Sequence, residues 1–373
     1  MNQPREMFSI DPCERVAPHV KAIAPYVPGK PISELAREFG LEEPSIVKLA
    51  SNENPLGPSP NGLAAARPAP RDVALYPDGA GFALKAALCR KLGVAQENIV
   101  LGNGSNDVLD MAARAFLGAG TSAVYAQHAF AVYPIATQTV GAQGIEVPAK
   151  NYGHDLAAMR AAMREDTRVV WIANPNNPTG TFLPWSGIEA FLREVPRHVL
   201  VVLDEAYGEY LPPADRFDTV AWLAEYPGLL ISRTFSKAYG LAGLRVGYGL
   251  GHPGVIDLMN RVRQPFNVNA PALAAAEAAL DDAAFLEQSY SVNHAGLKQL
   301  EAGLRALGLE HVPSRGNFLL AKVGEAARIN QALLKSGVIV RPVGGYGLPE
   351  FLRVSVGLEA QNVRFLDALK ECL

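Results

Sequence analysis

Cysteine is scarce in this 373-residue chain: only Cys13, Cys89 and Cys372 occur, far apart and odd in number. Such spacing supplies neither a disulfide framework nor the paired ligands of a zinc site, and it suits reduced thiols in a cytosol. An excess of either charge is also missing. Lys and Arg number 34 against 37 Asp and Glu, a net charge of −3 without a basic tail or stripe, so a nucleic-acid footprint is not supported. Long hydrophobic runs are lacking too. The longest, in Arg168-VVWIA and His198-VLVVL, are strand-length and well short of the ~20 residues a membrane helix needs. The opening MNQPREMFSIDPCER carries charges and no apolar core, unlike a signal peptide. We expect a soluble, cytoplasmic protein. With 49% apolar and 19% charged residues, the chain has ample material for a core, which argues against disorder.

What is present has rhythm. After a Pro-rich start with one short helical segment (Pro31 to Phe39), seven short apolar runs alternate with helix-like stretches. They are Asn98-IVLG, Thr121-SAVYA, Gly144-IEVPA, Arg168-VVWIANP, His198-VLVVLDEAY, Gly228-LLISRTFS and Arg245-VGYGLG. Between them, Leu84, Leu88 and Leu92 recur every four residues, and Leu109, Ala112, Ala113 and Phe116 share one helical face. Strands alternating with helices predict an α/β domain with a mostly parallel seven-stranded sheet flanked by helices. Unbroken apolar strands such as VLVVL fit a sheet buried on both faces. Beyond Pro271 an Ala/Leu-rich helical pattern, broken near Asp281-Asp282, leads to strands at Asn317-FLLAKV, Val338-IVRP and Phe351-LRVSV and a last helix from Glu359. The expected organisation is a large domain over 45–272 and a smaller α+β domain built from 1–44 and 273–373. With no flexible linker between them, the two should pack tightly.

In open α/β sheets ligands bind beyond the carboxyl ends of the strands, so the residues that follow each strand are where chemistry is expected. After the first run stands Gly102-Asn-Gly-Ser-Asn106 before a helix, either an ordinary N-cap or a place for a phosphate on backbone N–H groups. After VVWIA stands Asn174-Pro-Asn-Asn-Pro-Thr-Gly180, a turn that also presents fixed amide side chains. After VLVVL stands Asp204-Glu-Ala-Tyr207. An acid ending a wholly apolar strand needs a partner that favours its charge. A Mg²⁺ site would also use such a pair, but the chain has no G-x-x-x-x-G-K-[ST] loop to accompany it. After LLI stands Ser232-Arg-Thr-Phe-Ser-Lys237, with Arg245 eight residues on. A single lysine here would be a solvated helix start. The conjunction differs: an amine, an acid, a phenol, an amide and an arginine at consecutive strand ends meet the requirements of pyridoxal 5′-phosphate.

At this point NPNNPTG, DEAY, RTFSKAYGLAGLRVGY, RQPFNVN and GVIVRP…YGLPEFLRVSVG resemble the fold-type I aminotransferases of classes I and II, most closely the histidinol-phosphate branch. The similarity runs from Pro25–Gly29 through Leu49-ASNENPLGPSP and Leu75-YPDG to the C-terminus. It implies that Lys237 binds the cofactor covalently and moves the substrate α-proton, that Asp204 holds the pyridine nitrogen protonated, and that Tyr207 and Asn177 bond the ring oxygen. It places Gly104, Ser105, Asn106, Thr234, Ser236 and Arg245 around the phosphate and Phe130 against the ring. Tyr76 would reach the cofactor of a neighbouring subunit, making a homodimer with shared active sites. For substrates, Arg353 and Arg341, with Tyr26 and Asn177 near, would hold glutamate in one half-reaction and the phosphate of L-histidinol phosphate in the other, since a guanidinium fork takes either anion. The plainer alternative for Arg341 is a surface ion pair. Two positions depart from the family pattern: His128 and Ala129 precede Phe130 where proline and a hydroxyl residue are common, and Asn106 replaces a frequent acid. An aromatic-amino-acid aminotransferase of the same fold is the alternative, followed by a decarboxylase of that fold acting on a phosphorylated amino acid, and a non-catalytic cofactor-binding sensor. No metal is expected.

Overall fold

A computed structural model of the chain describes residues 16–26, 28–66 and 73–373, so Cys13 lies outside the described residues. The helix expected after the Pro-rich start is Ile32–Phe39, closed by Gly40 in the left-handed region at φ 65°. A two-residue strand follows, β1 (Val47–Lys48). Next comes the large sheet: β2 (Ile99–Gly102), β3 (Ser122–Ala126), β4 (Gln143–Val147), β5 (Thr167–Ala173), β6 (Leu200–Asp204), β7 (Leu229–Thr234) and β8 (Gly247–Gly251). Its order is β2-β8-β7-β6-β5-β3-β4, and β8 alone runs antiparallel to its neighbours. All seven strands fall on the seven apolar runs. The side-chain period of two explains why those runs are continuous rather than alternating. In β6, Val201 and Leu203 enter one core cluster with Leu229 and Ile231, while Leu200 and Val202 enter another with Leu230 and Trp171. Both faces are covered, so no position is free to be polar until the strand ends at Asp204.

The helical pattern beyond Pro271 resolves into Ala270–Leu280 and Ala283–Ala306, broken where expected, with Asp282 accepting from the Phe285 N–H as N-cap. Alanines 272, 275, 276 and 279 seat the first of these helices in the large-sheet core. A second, antiparallel sheet is formed by β9 (His311–Val312), β10 (Phe318–Lys322), β12 (Arg341–Pro342) and β13 (Phe351–Ser355) in the order β12-β13-β10-β9. The run Val338–Pro342, read as one strand, is two. Val338–Ile339 (β11) pairs in parallel with β1, whereas Arg341 and Pro342 pair with Arg353 and Leu352. Pro342 has no N–H to extend a ladder, which keeps this strand short. Leu49, just after β1, packs in the same cluster as Leu319, Leu352 and Phe365. This joins the segment entering the large sheet to the C-terminal unit and brings Ala50 to Asn52 beside β13. Among the described residues no helix is long and apolar enough to cross a membrane, and no three His, Cys, Asp or Glu cluster as metal ligands.

Candidate active site

One cavity gathers nearly every residue singled out in the sequence. Its walls include Tyr26, Ser105, Asn106, Phe130, Asn177, Asp204, Tyr207, Thr234, Ser236, Lys237, Arg245, Arg341 and Arg353. The topology explains the convergence. Ala173, Asp204 and Thr234 close β5, β6 and β7 at the same sheet edge, and the loop after β2 opens the helix Ser105–Phe116 there.

Asp204 is buried, its Oδ2 accepting from the Tyr133 hydroxyl at 3.0 Å and its Oδ1 from the Ala206 N–H at 3.2 Å. Burial outweighs those bonds and pushes the carboxyl up to about 6. Lys237 donates from Nζ to the Ser51 carbonyl at 3.2 Å, and burial, then the Arg353 charge, brings its amine down to about 8. The Tyr207 ring lies 5.7 Å from Lys237 Nζ. Its hydroxyl accepts from Asn52 Nδ2 at 2.9 Å, and burial raises the phenol to about 12.

Arg353 is only 6% exposed. Its Nη1 donates to Asn177 Oδ1 at 2.6 Å and its Nη2 to the Ala50 carbonyl at 2.7 Å, while its buried Nε has no partner among the described residues. A buried guanidinium bonded only to neutral oxygens is a site built for an anion, because burying that charge unpaired is costly. Arg341 is half-buried, with its guanidinium carbon 5.3 Å from the Tyr26 ring centroid. It reaches the cavity rather than standing at the surface, and a larger cavity opens beside it, sharing Tyr26 and Gly29.

At the opposite end Arg245 donates from Nη1 to Ser236 Oγ at 3.2 Å. Gly104, at φ +79°, turns beneath it so closely that a Cβ there would lie 2.5 Å from Arg245 Nη2. A guanidinium, hydroxyls and a helix N-terminus converging on a cradle free of side chains suit a phosphate. Phe130 stands at the rim, edge-on to Tyr133 at 5.8 Å.

Tyr76 is not in this cavity. It is 83% exposed and stacked on Phe266 at 4.6 Å. Asn52 and Tyr133 are among the wall residues that escaped the sequence reading. Asn52 lies in an aperiodic segment that reads as loop. Tyr133, fully buried and stacked on Trp171 at 5.3 Å, reads as core, and only its place three residues after Phe130 hinted otherwise.

A lysine, a buried acid, a phenol and three arginines around one cavity at the ends of a mostly parallel sheet define a group-transfer enzyme working on anionic amines. The family model for aminotransferase class I and II matches residues 44–369, and the chain belongs to that family. Curated relatives include histidinol-phosphate aminotransferase 1 of Thiobacillus denitrificans, 75% identical over 95% of this chain and 93% of its own length, and histidinol-phosphate aminotransferase 1 of Dechloromonas aromatica, 61% identical over 95% and 98%. Among solved structures, histidinol-phosphate aminotransferase from Sinorhizobium meliloti in complex with pyridoxal-5′-phosphate superposes with a TM-score of 0.88 at 32% identity, covering 96% of this chain and 97% of that one.

Proposed function

We propose that this chain is a pyridoxal-phosphate-dependent transaminase that interconverts L-histidinol phosphate and 2-oxoglutarate with imidazole-acetol phosphate and L-glutamate, a step of histidine biosynthesis. The observation that carries the reading is the pairing of Arg353 and Arg341 in the cavity that also holds Lys237 and Asp204. One anion-binding arginine suffices for a monocarboxylic amino acid, and two suit glutamate or a phosphorylated amine. The names of the relatives support the same substrate.

The residues present fit the cofactor. The cradle at Gly104 that a Cβ would fill, lined by Arg245, Ser236, Thr234, Ser105 and Asn106, would hold its phosphate, and Phe130 would pack against its ring. When bound, it supplies an aldehyde for amine exchange and a ring that stabilises negative charge at the substrate α-carbon. An amine near pH 8, as burial makes Lys237, keeps a sizeable neutral fraction at neutral pH, which attack on a carbonyl and acceptance of a proton both require. Asp204, desolvated and already bonded by Tyr133 and Ala206, gains most from a cationic ring nitrogen opposite it, which would keep the carboxylate ionised. Tyr207 and Asn177 would face the ring oxygen. Arg353 would clamp the carboxylate shared by glutamate and 2-oxoglutarate. Arg341, with Tyr26, would take the second carboxylate or the substrate phosphate.

Steady-state turnover of L-histidinol phosphate and of L-phenylalanine, each with 2-oxoglutarate, tests the substrate. We expect kcat/KM to favour the phosphorylated amine by about tenfold or more, the worth of one charge-assisted bond. Equal values would favour the aromatic aminotransferase.

We also assign the active form as a homodimer with shared sites. Val73, Leu75, Tyr76, Phe82 and Phe266 are exposed apolar side chains, Tyr76 stacked on Phe266, and self-association covers side chains of this kind. Tyr76 would then serve the partner's cavity. Mixing Tyr76→Phe with Lys237→Ala subunits should restore one fully native site per heterodimer, raising activity above the mean of the two parents. Activity no higher than that mean would refute the shared site. Cys89 and Cys372 are free thiols, which suits the cytoplasm as the place of work.

A further inference from the structure

We infer that Asn52 is a positioning residue that fixes the direction in which the Tyr207 hydroxyl donates, so that its proton is presented to the cavity. The inference rests on the reading of the cavity as a cofactor site. It begins with the backbone. Asn52 is 1% exposed and adopts φ 56°, a left-handed conformation that asparagine tolerates better than most residues. The segment it ends is held by the site itself. The Ala50 carbonyl accepts from Arg353, the Ser51 carbonyl accepts from Lys237, and the Asn52 carbonyl accepts from Asn317 Nδ2 at 2.9 Å.

The side chain then carries a hydrogen-bond chain with one possible polarity. The Asn52 N–H donates to Ser355 Oγ at 2.9 Å, and a backbone N–H can only donate, so the serine oxygen accepts there. The serine proton goes to Asn52 Oδ1 at 2.8 Å, for among the described residues that buried hydroxyl has no other acceptor. The opposite amide orientation would leave it unpaired, at a cost that buried polar groups avoid. With Oδ1 committed to Ser355, it is Nδ2 that faces Tyr207, at 2.9 Å. An amide N–H cannot accept, so the phenol oxygen must, and the phenol's own proton is left for the cavity that Tyr207 lines. The chain from Ser355 through Asn52 to Tyr207 therefore makes the phenol a donor toward any oxygen bound there. The charged groups around that oxygen are Lys237, Arg353 and Asp204, none of which supplies this polarity.

The test reads the visible absorption band of the cofactor-loaded protein against pH, without substrate. A phenol that donates to the ring oxygen lowers the pH midpoint of that band, so Tyr207→Phe should raise it. Asn52→Asp keeps the shape and reverses the polarity, since both carboxylate oxygens accept and one draws the phenol proton away from the cavity. We expect a rise of about one pH unit, a tenfold change in the protonation equilibrium, and a much smaller one when the same change is made in Tyr207→Phe. Equal rises in the two backgrounds would mean a direct charge effect and overturn the inference, as would no rise in the first. Should Asn52→Asp not take up the cofactor, Asn52→Gly serves. It tolerates the left-handed backbone and removes only the amide, and an unchanged midpoint there overturns the inference. A midpoint unmoved in Tyr207→Phe itself would overturn the assigned role of Tyr207 and this inference together. A normal Tyr207→Phe shift with silent Asn52 variants would overturn this inference alone.

Discussion

Replacing Lys237 with alanine should abolish transamination while leaving the fold intact. The lysine sits at a cavity wall with its amine on the Ser51 carbonyl, and among the charges around it the repulsion from Arg353 has the largest effect. Its removal relieves a desolvated, repelled cation and opens no void in the core clusters. The chemistry loses both its covalent anchor and its proton carrier. Loss of a general base alone costs about 10²–10⁴-fold, and loss of the covalent step adds to it, so a fall of roughly 10⁴-fold or more in kcat is expected. Single-turnover measurement of glutamate deamination checks this, with circular dichroism reporting the fold. Retention of more than a few per cent of the wild-type rate would exclude the role.

The second large effect belongs to Arg341 and is selective. Arg341→Gln should lower kcat/KM for histidinol phosphate steeply, because a phosphate in a closed pocket loses charge-assisted bonds of about 1.5–3 kcal/mol, a loss of about ten- to hundredfold. Glutamate, with its second carboxylate, should suffer too. Phenylalanine has only the carboxylate assigned to Arg353, so its value should change far less. The ratio between amines decides the matter. Equal losses for phenylalanine and histidinol phosphate would make Arg341 a structural residue and move the aromatic substrate ahead.

The parts of the site legible in the sequence are those where a strand ends. Asp204 stands out because four apolar residues precede it in a strand that packs both faces into the core. Lys237 and Asn177 stand out only beside it: alone they read as a helix start and a turn, and it is the conjunction of polar groups just past the ends of buried strands that points to a ligand. The large sheet was legible because strand-length apolar runs alternate with helical stretches. Asn52 was not. Its meaning depends on Ser355 and Asn317, 303 and 265 residues away, and no local pattern carries that pairing. Tyr133 is hidden because a buried aromatic on an amphipathic helix satisfies the core whether or not its hydroxyl meets Asp204. The split of Val338–Pro342 between two sheets depends on partners at Val47 and Arg353 that periodicity cannot reveal. Tyr76 is a different case. Its residue type matched the family pattern, but within one chain it faces solvent, stacked on Phe266, and the role the resemblance implies for it needs the second copy proposed above.

Borohydride trapping tests most directly whether this cavity holds pyridoxal 5′-phosphate on Lys237. Reduction of the cofactor-loaded protein followed by peptide mapping should place a single pyridoxyl group on the peptide containing Ser236-Lys237-Ala238. A label on any other lysine, or none after full loading, would contradict the account.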